Sequence, residues 1–201
     1  MSELLKKAET KNLSKTNTKK IASNEPKKLE MSASRHKKIK HSYNVQNPEN
    51  AVVLKLKDGD VVIELFEDVA PNHVARIKEL VRQGFYNGLK FHRVIDGFMA
   101  QTGCPLGTGT GGSGKKLKAE FNQKPHKRGT VSMARAANPD SADSQFFICF
   151  ADAPWLNGQY TVFGEVTSGM EYVDGIKKGD GYNGMVENPD VIISMHIVSD
   201  L

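Results

Sequence analysis

The sequence predicts a mainly β protein whose antiparallel strands close into a barrel. Three observations predict it. Asp96-Gly97 sits between two short extended runs, which is the strongest short-range hairpin signal a sequence offers. Short strand-like runs recur along the chain between turn signals. Only two stretches show helical spacing, and closure into a barrel removes the edges that so many strands would expose.

Residues 1–48 stand apart from this pattern. They hold 12 Lys and Arg against 4 Asp and Glu, whereas the other 153 residues hold 16 against 19, so the formal charge of +5 belongs to the first segment. Apolar residues there are too sparse to bury, and Tyr43 is its one aromatic residue. The segment reads as a basic, disordered or loosely helical tail, with 49–201 as one domain. A weak contact with nucleic acid or another anionic surface is the functional expectation for it. The interleaved aromatics that stack bases are missing.

From Ala51 the texture changes. Residues 51–57 and 61–66 read as strand, turn, strand around Asp58-Gly59-Asp60. Pro71 fits the first position of a helix in which Val74, Ile77, Leu80 and Val81 recur at helical spacing, and Gly84 stops it. His73, in its first turn, reads as an exposed surface histidine. Next comes the hairpin at 91–101. A two-residue loop would set Arg93 opposite Ala100, while a three-residue loop ending at Phe98 sets Arg93 opposite Gln101 and Ile95 opposite Met99. The second register is favoured because cross-strand neighbours share a face and polar pairs with polar.

Residues 107–116 are glycine-rich and nearly satisfy two nucleotide motifs, but Lys116 stands where a P-loop needs Ser or Thr, and no strand and helix flank the loop. It reads instead as a surface loop passing close to a ligand. Residues 129–135 and 144–150 are strand-like, the second apolar on both faces apart from Gln145 and therefore central. A turn with the only tryptophan, Trp155, precedes a strand at 160–166. A short helix carrying Met170, Val173 and Ile176, a glycine-rich loop and a last strand at 191–198 finish the chain.

Composition narrows the chemistry. No run of 18 apolar residues spans a membrane. The start of the chain lacks the apolar core of a secretory signal. Cys104 and Cys149 have no metal-spaced companions, so two reduced thiols in a cytoplasmic setting are expected, with no metal and no cofactor. Neither a GxSxG elbow nor an HExxH helix is present.

The informative residues are Arg93, Phe98, Met99, Gln101, Gln145, Phe147, Trp155 and Leu156, each ordinary alone. In the motifs Phe91-His92-Arg93-Val94-Ile95, Gly97-Phe98-Met99-Ala100-Gln101, Gly109-Thr110-Gly111-Gly112, Ser132-Met133-Ala134, Ser144-Gln145-Phe146-Phe147-Ile148, Trp155-Leu156 and Val162-Phe163-Gly164, the chain resembles the cyclophilins over about residues 51–199. These are peptidyl-prolyl cis-trans isomerases. The resemblance implies a closed barrel of about eight strands with a helix over each end, at roughly 71–84 and 169–177. It also implies a monomer that assists protein folding and acts on proline-containing polypeptides.

The resemblance makes Arg93 and Gln101 the catalytic pair. Phe98, Met99, Phe147 and Leu156 would line the proline pocket, and backbone groups around Arg135 would hold the preceding residue. Gly109, Ala134, Ala136 and Gln145 would shape the neighbouring subsite. Trp155 takes the position through which many eukaryotic members bind cyclosporin, so cyclosporin is an expected inhibitor. Two residues depart from the better-known members: Tyr160 replaces a histidine and Arg135 an asparagine, both as in bacterial-type cyclophilins. The rival reading is an adaptor that docks proline peptides without turning them over, for which the arginine would be superfluous.

Overall fold

The hairpin at 91–101 takes the three-residue loop. In the computed structural model, which describes residues 43–201, β3 (Arg93–Ile95) pairs with β4 (Met99–Thr102) in the register Arg93 to Gln101, Val94 to Ala100 and Ile95 to Met99. Gly97 supplies the left-handed turn residue, at φ 68°. Six further strands complete one antiparallel sheet: β1 (Ala51–Lys55), β2 (Asp60–Leu65), β5 (Thr130–Met133), β6 (Phe146–Cys149), β7 (Val162–Ser168) and β8 (Ser194–Ile197). Their order across the sheet is β3-β4-β6-β5-β7-β2-β1-β8.

That order corrects the expected closure. β3 and β8 are the two edges and share no ladder, so the sheet curls into an open half-barrel. Residues 179–192 occupy the seam. Gly179 N donates to Val94 O, Val94 N to Gly184 O, Val186 N to His92 O, and Phe91 N to Asp190 O. A loop therefore satisfies the edge groups that a strand pairing would have used.

Strand alternation sorts the side chains into two clusters. On β6, Phe146 and Ile148 join the main core with Val52, Leu54, Ile63, Val131 and Phe163, while Phe147 and Cys149 face the other way. The outward set forms a second, smaller cluster with Met99, Ala153 and Leu156, flanked by Phe98, Ala134 and Tyr160. A site on the outside of the half-barrel is built from that second face. Both cysteines are free and buried.

The two helices are α1 (Pro71–Arg82) and α2 (Met170–Asp174), the second shorter than the periodicity implied. Pro71 opens α1, and Gly84 follows its end at φ 67°. His73 is fully buried, against the expectation of an exposed surface histidine. The reason is Glu120, which reaches from a distant loop to the start of α1. It accepts the backbone N–H groups of Asn72 and His73, each at 3.0 Å, and also faces His73 Nδ1 at 2.6 Å. The N-cap residue Ala70 has no capping side chain, so Glu120 fills that role from another part of the chain. Tyr43 donates to Asp60 Oδ2 at 2.7 Å, so the described chain is fastened to β2 ahead of the boundary expected at 48/49. The remainder of the tail reading lies outside the described residues.

Burial pushes the Glu120 carboxyl up, but hydrogen bonds from His73 and Asn72 outweigh it and hold the group below its ordinary range. A depressed folded-state pKa stabilises above the unfolded value and is lost as pH falls through the folded one. Glu120→Ala is expected to cost about 2 kcal/mol in urea unfolding near neutrality. The difference from wild type should shrink on acidification below the usual carboxylate range.

Candidate active site

The outward face of β3, β4, β5 and β6 meets the turn at Pro154–Leu156 and encloses two adjoining hollows. The smaller, ≈ 190 Å³, is lined by Arg93, Phe98, Met99, Gln101, Ala134, Arg135, Phe147, Leu156 and Tyr160. Its floor is apolar: Met99, Phe147 and Leu156 are buried, and the Tyr160 ring stands edge-on to Phe147 with centroids 5.9 Å apart. Trp155 is 60% exposed and leans on Phe98 at the rim, centroids 5.7 Å apart, outside the lining. The larger hollow, ≈ 340 Å³, shares Gln101, Ala134 and Arg135 with the first and adds Gly109, Ala136 and Gln145. The structure thus brings together all the residues expected from the sequence, twelve around two hollows and one on the rim.

A directed chain of amides joins the glycine-rich loop to the guanidinium. Gln145 Nε2 donates to Gly109 O at 2.9 Å and to Gly111 O at 2.7 Å, which uses both its hydrogens. Its Oε1 accepts from Gln101 Nε2 at 3.0 Å, so Gln101 Oε1 faces Arg93 and accepts from Nη1 at 3.3 Å. Arg93 Nε donates in turn to the Asn183 carbonyl at 2.9 Å. Neither bond uses Nη2, whose N–H groups have no protein acceptor among the described residues.

The sequence reading missed several supports. Asn183 holds Arg93 through a backbone carbonyl, which no side-chain pattern announces. Cys104 organises the glycine-rich loop: its Sγ accepts from Gly109 N at 3.3 Å and Gly111 N at 3.2 Å. Burial raises that thiol's pKa, and the surrounding backbone N–H groups more than reverse the shift. Asp143 anchors the same loop by accepting Ser113 N at 2.6 Å. Arg135 folds back, with Nε donating to Gln159 O at 3.0 Å and the guanidinium 4.6 Å from the Tyr160 ring centroid. No group of three or more His, Cys, Asp and Glu side chains is assembled among the described residues.

An apolar pocket with a fixed, always-charged donor at its lip suits a neutral substrate whose charge distribution changes without bond cleavage. The family model for cyclophilin type peptidyl-prolyl cis-trans isomerase matches residues 51–197. A probable peptidyl-prolyl cis-trans isomerase of Brucella suis biovar 1 is 59% identical over 167 residues, covering 77% of this chain and 85% of that protein. Peptidyl-prolyl cis-trans isomerase B of Bacillus subtilis is 49% identical over 128 residues, covering 62% and 89%. Among solved structures, a cyclophilin from Hirschia baltica aligns with TM-score 0.69 at 30% identity, covering 77% of this chain and 76% of that one. A Cryptosporidium parvum cyclophilin type isomerase, crystallised in the presence of the dipeptide Ala-Pro, aligns with TM-score 0.67 at 31% identity, covering 73% and 98%. The chain belongs to the cyclophilin-type peptidyl-prolyl cis-trans isomerase family, and its activity is rotation about Xaa-Pro bonds.

The amide chain can be tested at its origin. Gln145→Glu replaces the two N–H donors with a carboxylate aimed at the Gly109 and Gly111 carbonyls. A fall in kcat/KM of about tenfold or more is expected, with the fold retained by circular dichroism.

Proposed function

We propose that Arg93 is the catalytic donor and that the two hollows divide the substrate between them. The observation that carries this is the placement of Arg93 at the lip of the apolar pocket, held at Nε and Nη1 and open at Nη2. The proline ring sits on Phe98, Met99, Phe147 and Leu156, with Tyr160 closing the side. Gln101 both orients Arg93 and hydrogen-bonds the substrate backbone. Backbone groups at Ala134 and Arg135 hold the residue before proline, and the preceding segment runs into the hollow shaped by Gly109, Ala136 and Gln145. The Ala-Pro dipeptide present with the Cryptosporidium relative supports a site for this unit.

The mechanism follows from amide electronics. Rotation faces a barrier of about 18–20 kcal/mol because the nitrogen lone pair is delocalised. As the bond twists, that lone pair localises on nitrogen and becomes a hydrogen-bond acceptor, which it is not in the planar ground state. A guanidinium aimed at it stabilises the transition state selectively. Lowering the barrier by about 7 kcal/mol accelerates the rotation by roughly 10⁵-fold. No nucleophile, metal or cofactor enters this scheme.

Finer features belong to the same proposal. The enzyme assists folding of flexible chains in the cytoplasm, a setting that suits two free buried thiols. Its basic first segment adds weak contact with nucleic acid or an anionic surface. Cyclosporin occupies the proline pocket and covers the Trp155–Phe98 rim.

Arg93→Ala is expected to lower kcat/KM by roughly 10²-fold or more in exchange NMR on a short Xaa-Pro peptide. Arg93→Lys should recover little of the loss, because an ammonium lacks the planar fork. Activity equal to wild type in Arg93→Ala would sink the assignment. Trp155 is the only tryptophan, so its emission should shift on titration with cyclosporin, and an excess Xaa-Pro peptide should reverse the shift.

A further inference from the structure

Behind the proline pocket lies a buried histidine that the amide chain does not use. His126 is 1% exposed, and its ring stacks on the Phe147 ring with centroids 6.1 Å apart and planes at 16°. The same residue grips the turn that carries Trp155 and Leu156. Its carbonyl accepts Ala153 N–H at 2.9 Å, and its backbone N–H donates to Asn157 Oδ1 at 2.8 Å. It therefore ties the floor of the pocket to its wall.

The hydrogen bonds fix a hydrogen on Nδ1 of the ring. Because Asn157 Oδ1 accepts a backbone N–H, that atom is oxygen, and Nδ1, 3.0 Å from it, must carry a hydrogen. Nε2 lies 3.0 Å from Ser132 Oγ, which also lies 3.0 Å from Thr161 O and has one proton to give. Thr161 O already accepts Met133 N–H at 2.9 Å. With a neutral ring, Ser132 turns its one proton from Thr161 O to Nε2, and Thr161 O keeps the Met133 N–H. With a charged ring, Nε2–H donates to Ser132, which turns its proton to Thr161 O.

We infer that His126 is a positioning residue for isomerisation, acting as the neutral Nδ1–H tautomer to hold Leu156 and Phe147 at proline-binding distance. Burial drives the ring's pKa below its ordinary value, and the bond to Asn157 only partly offsets that. Protonation then places a cation in a buried site where it has no ion-pair partner among the described residues. The titratable group facing it is the Tyr160 phenol, edge-on at 6.5 Å, and Cys149 belongs to the cluster of Phe147, its thiol pushed up to about 12 by burial and by Asp152. Arg135 lies over Tyr160, and the nearby Asp152 carboxylate accepts the Arg128 backbone N–H at 3.3 Å, so the imidazole itself is bonded only to Asn157 and Ser132 among the described residues. The turn at Pro154–Leu156, outermost at Trp155, is the cover that yields to water, and proline binding weakens.

This inference rests on the proline ring sitting against Phe147 and Leu156, so the test separates the two. In the full chain, nitrogen and carbon NMR of the imidazole should report the Nδ1–H tautomer at neutral pH. Wild-type kcat/KM should fall on acidification with a histidine pKa below 6.5, mainly through KM. His126→Asn keeps a donor at the Nδ1 position but cannot titrate. It should retain activity within about threefold and lose the acid step. His126→Ala should raise KM by roughly three- to tenfold with kcat nearly unchanged. An Nε2–H tautomer, an acid step that survives in His126→Asn, or an unchanged KM in His126→Ala would each overturn it. If His126→Ala does not fold, the tautomer and His126→Asn still decide. Unchanged KM in Phe147→Ala would instead remove the pocket assignment while leaving the tautomer result standing.

Discussion

The pairing of Arg93 with Gln101 is the constraint on which the rest of the site depends. Successive strand residues face opposite sides, so a slip of one residue in β4 would exchange Ala100 for its neighbours and turn Met99 and Gln101 into the core. The same parity runs on through β6, where Gln101 pairs with Phe147, and into β5, where Phe147 pairs with Ser132. One register therefore aligns donor, amide and pocket floor across neighbouring strands. Burial of Val94, Ala100 and Ile148 on the inner face enforces it, because the slipped sheet would bury a guanidinium and an amide without partners.

Polarity is specified as strictly as position. Two glycine carbonyls can only accept, so Gln145 must present its nitrogen to them, and the orientation propagates through Gln101 to the guanidinium. The glycine-rich loop is itself held by Cys104 and Asp143, so a backbone arrangement far from the prolyl bond fixes the direction of the donor. The proposed donor is thus preorganised by bonds that cost no rearrangement when the amide twists.

Much of this was legible in the sequence because it is local. Asp96-Gly97 dictates the hairpin, polar-with-polar matching dictates its register, and the run in 144–150, apolar on both faces, dictates a central strand. What escaped is non-local or carried by backbone. Glu120 caps α1 across 47 residues, and that contact buries His73, which its helix position alone would leave exposed. Asn183 holds Arg93 by a carbonyl that any residue could supply. Closure was expected because open edges are a liability, yet residues 179–192 satisfy them without a strand, and loop pairing leaves no period-two signature.

The division between chemistry and scaffold also decides where pH can act. A guanidinium stays charged across the accessible range, and the glutamines and the substrate amide do not titrate at all. A reaction driven by a guanidinium donor is therefore indifferent to pH near neutrality. Any dependence must enter through groups that hold the pocket in shape. Cys149 titrates too high to serve, at about 12, and Glu120 too low. Of the two buried histidines near the pocket, His92 has its pKa lowered by burial and by Arg93, and its ring lies against Gly109 of the neighbouring hollow. His126 bonds both to that wall and to the strand pairing with the floor, and this geometry is what makes it the proposed route by which acidity reaches the pocket.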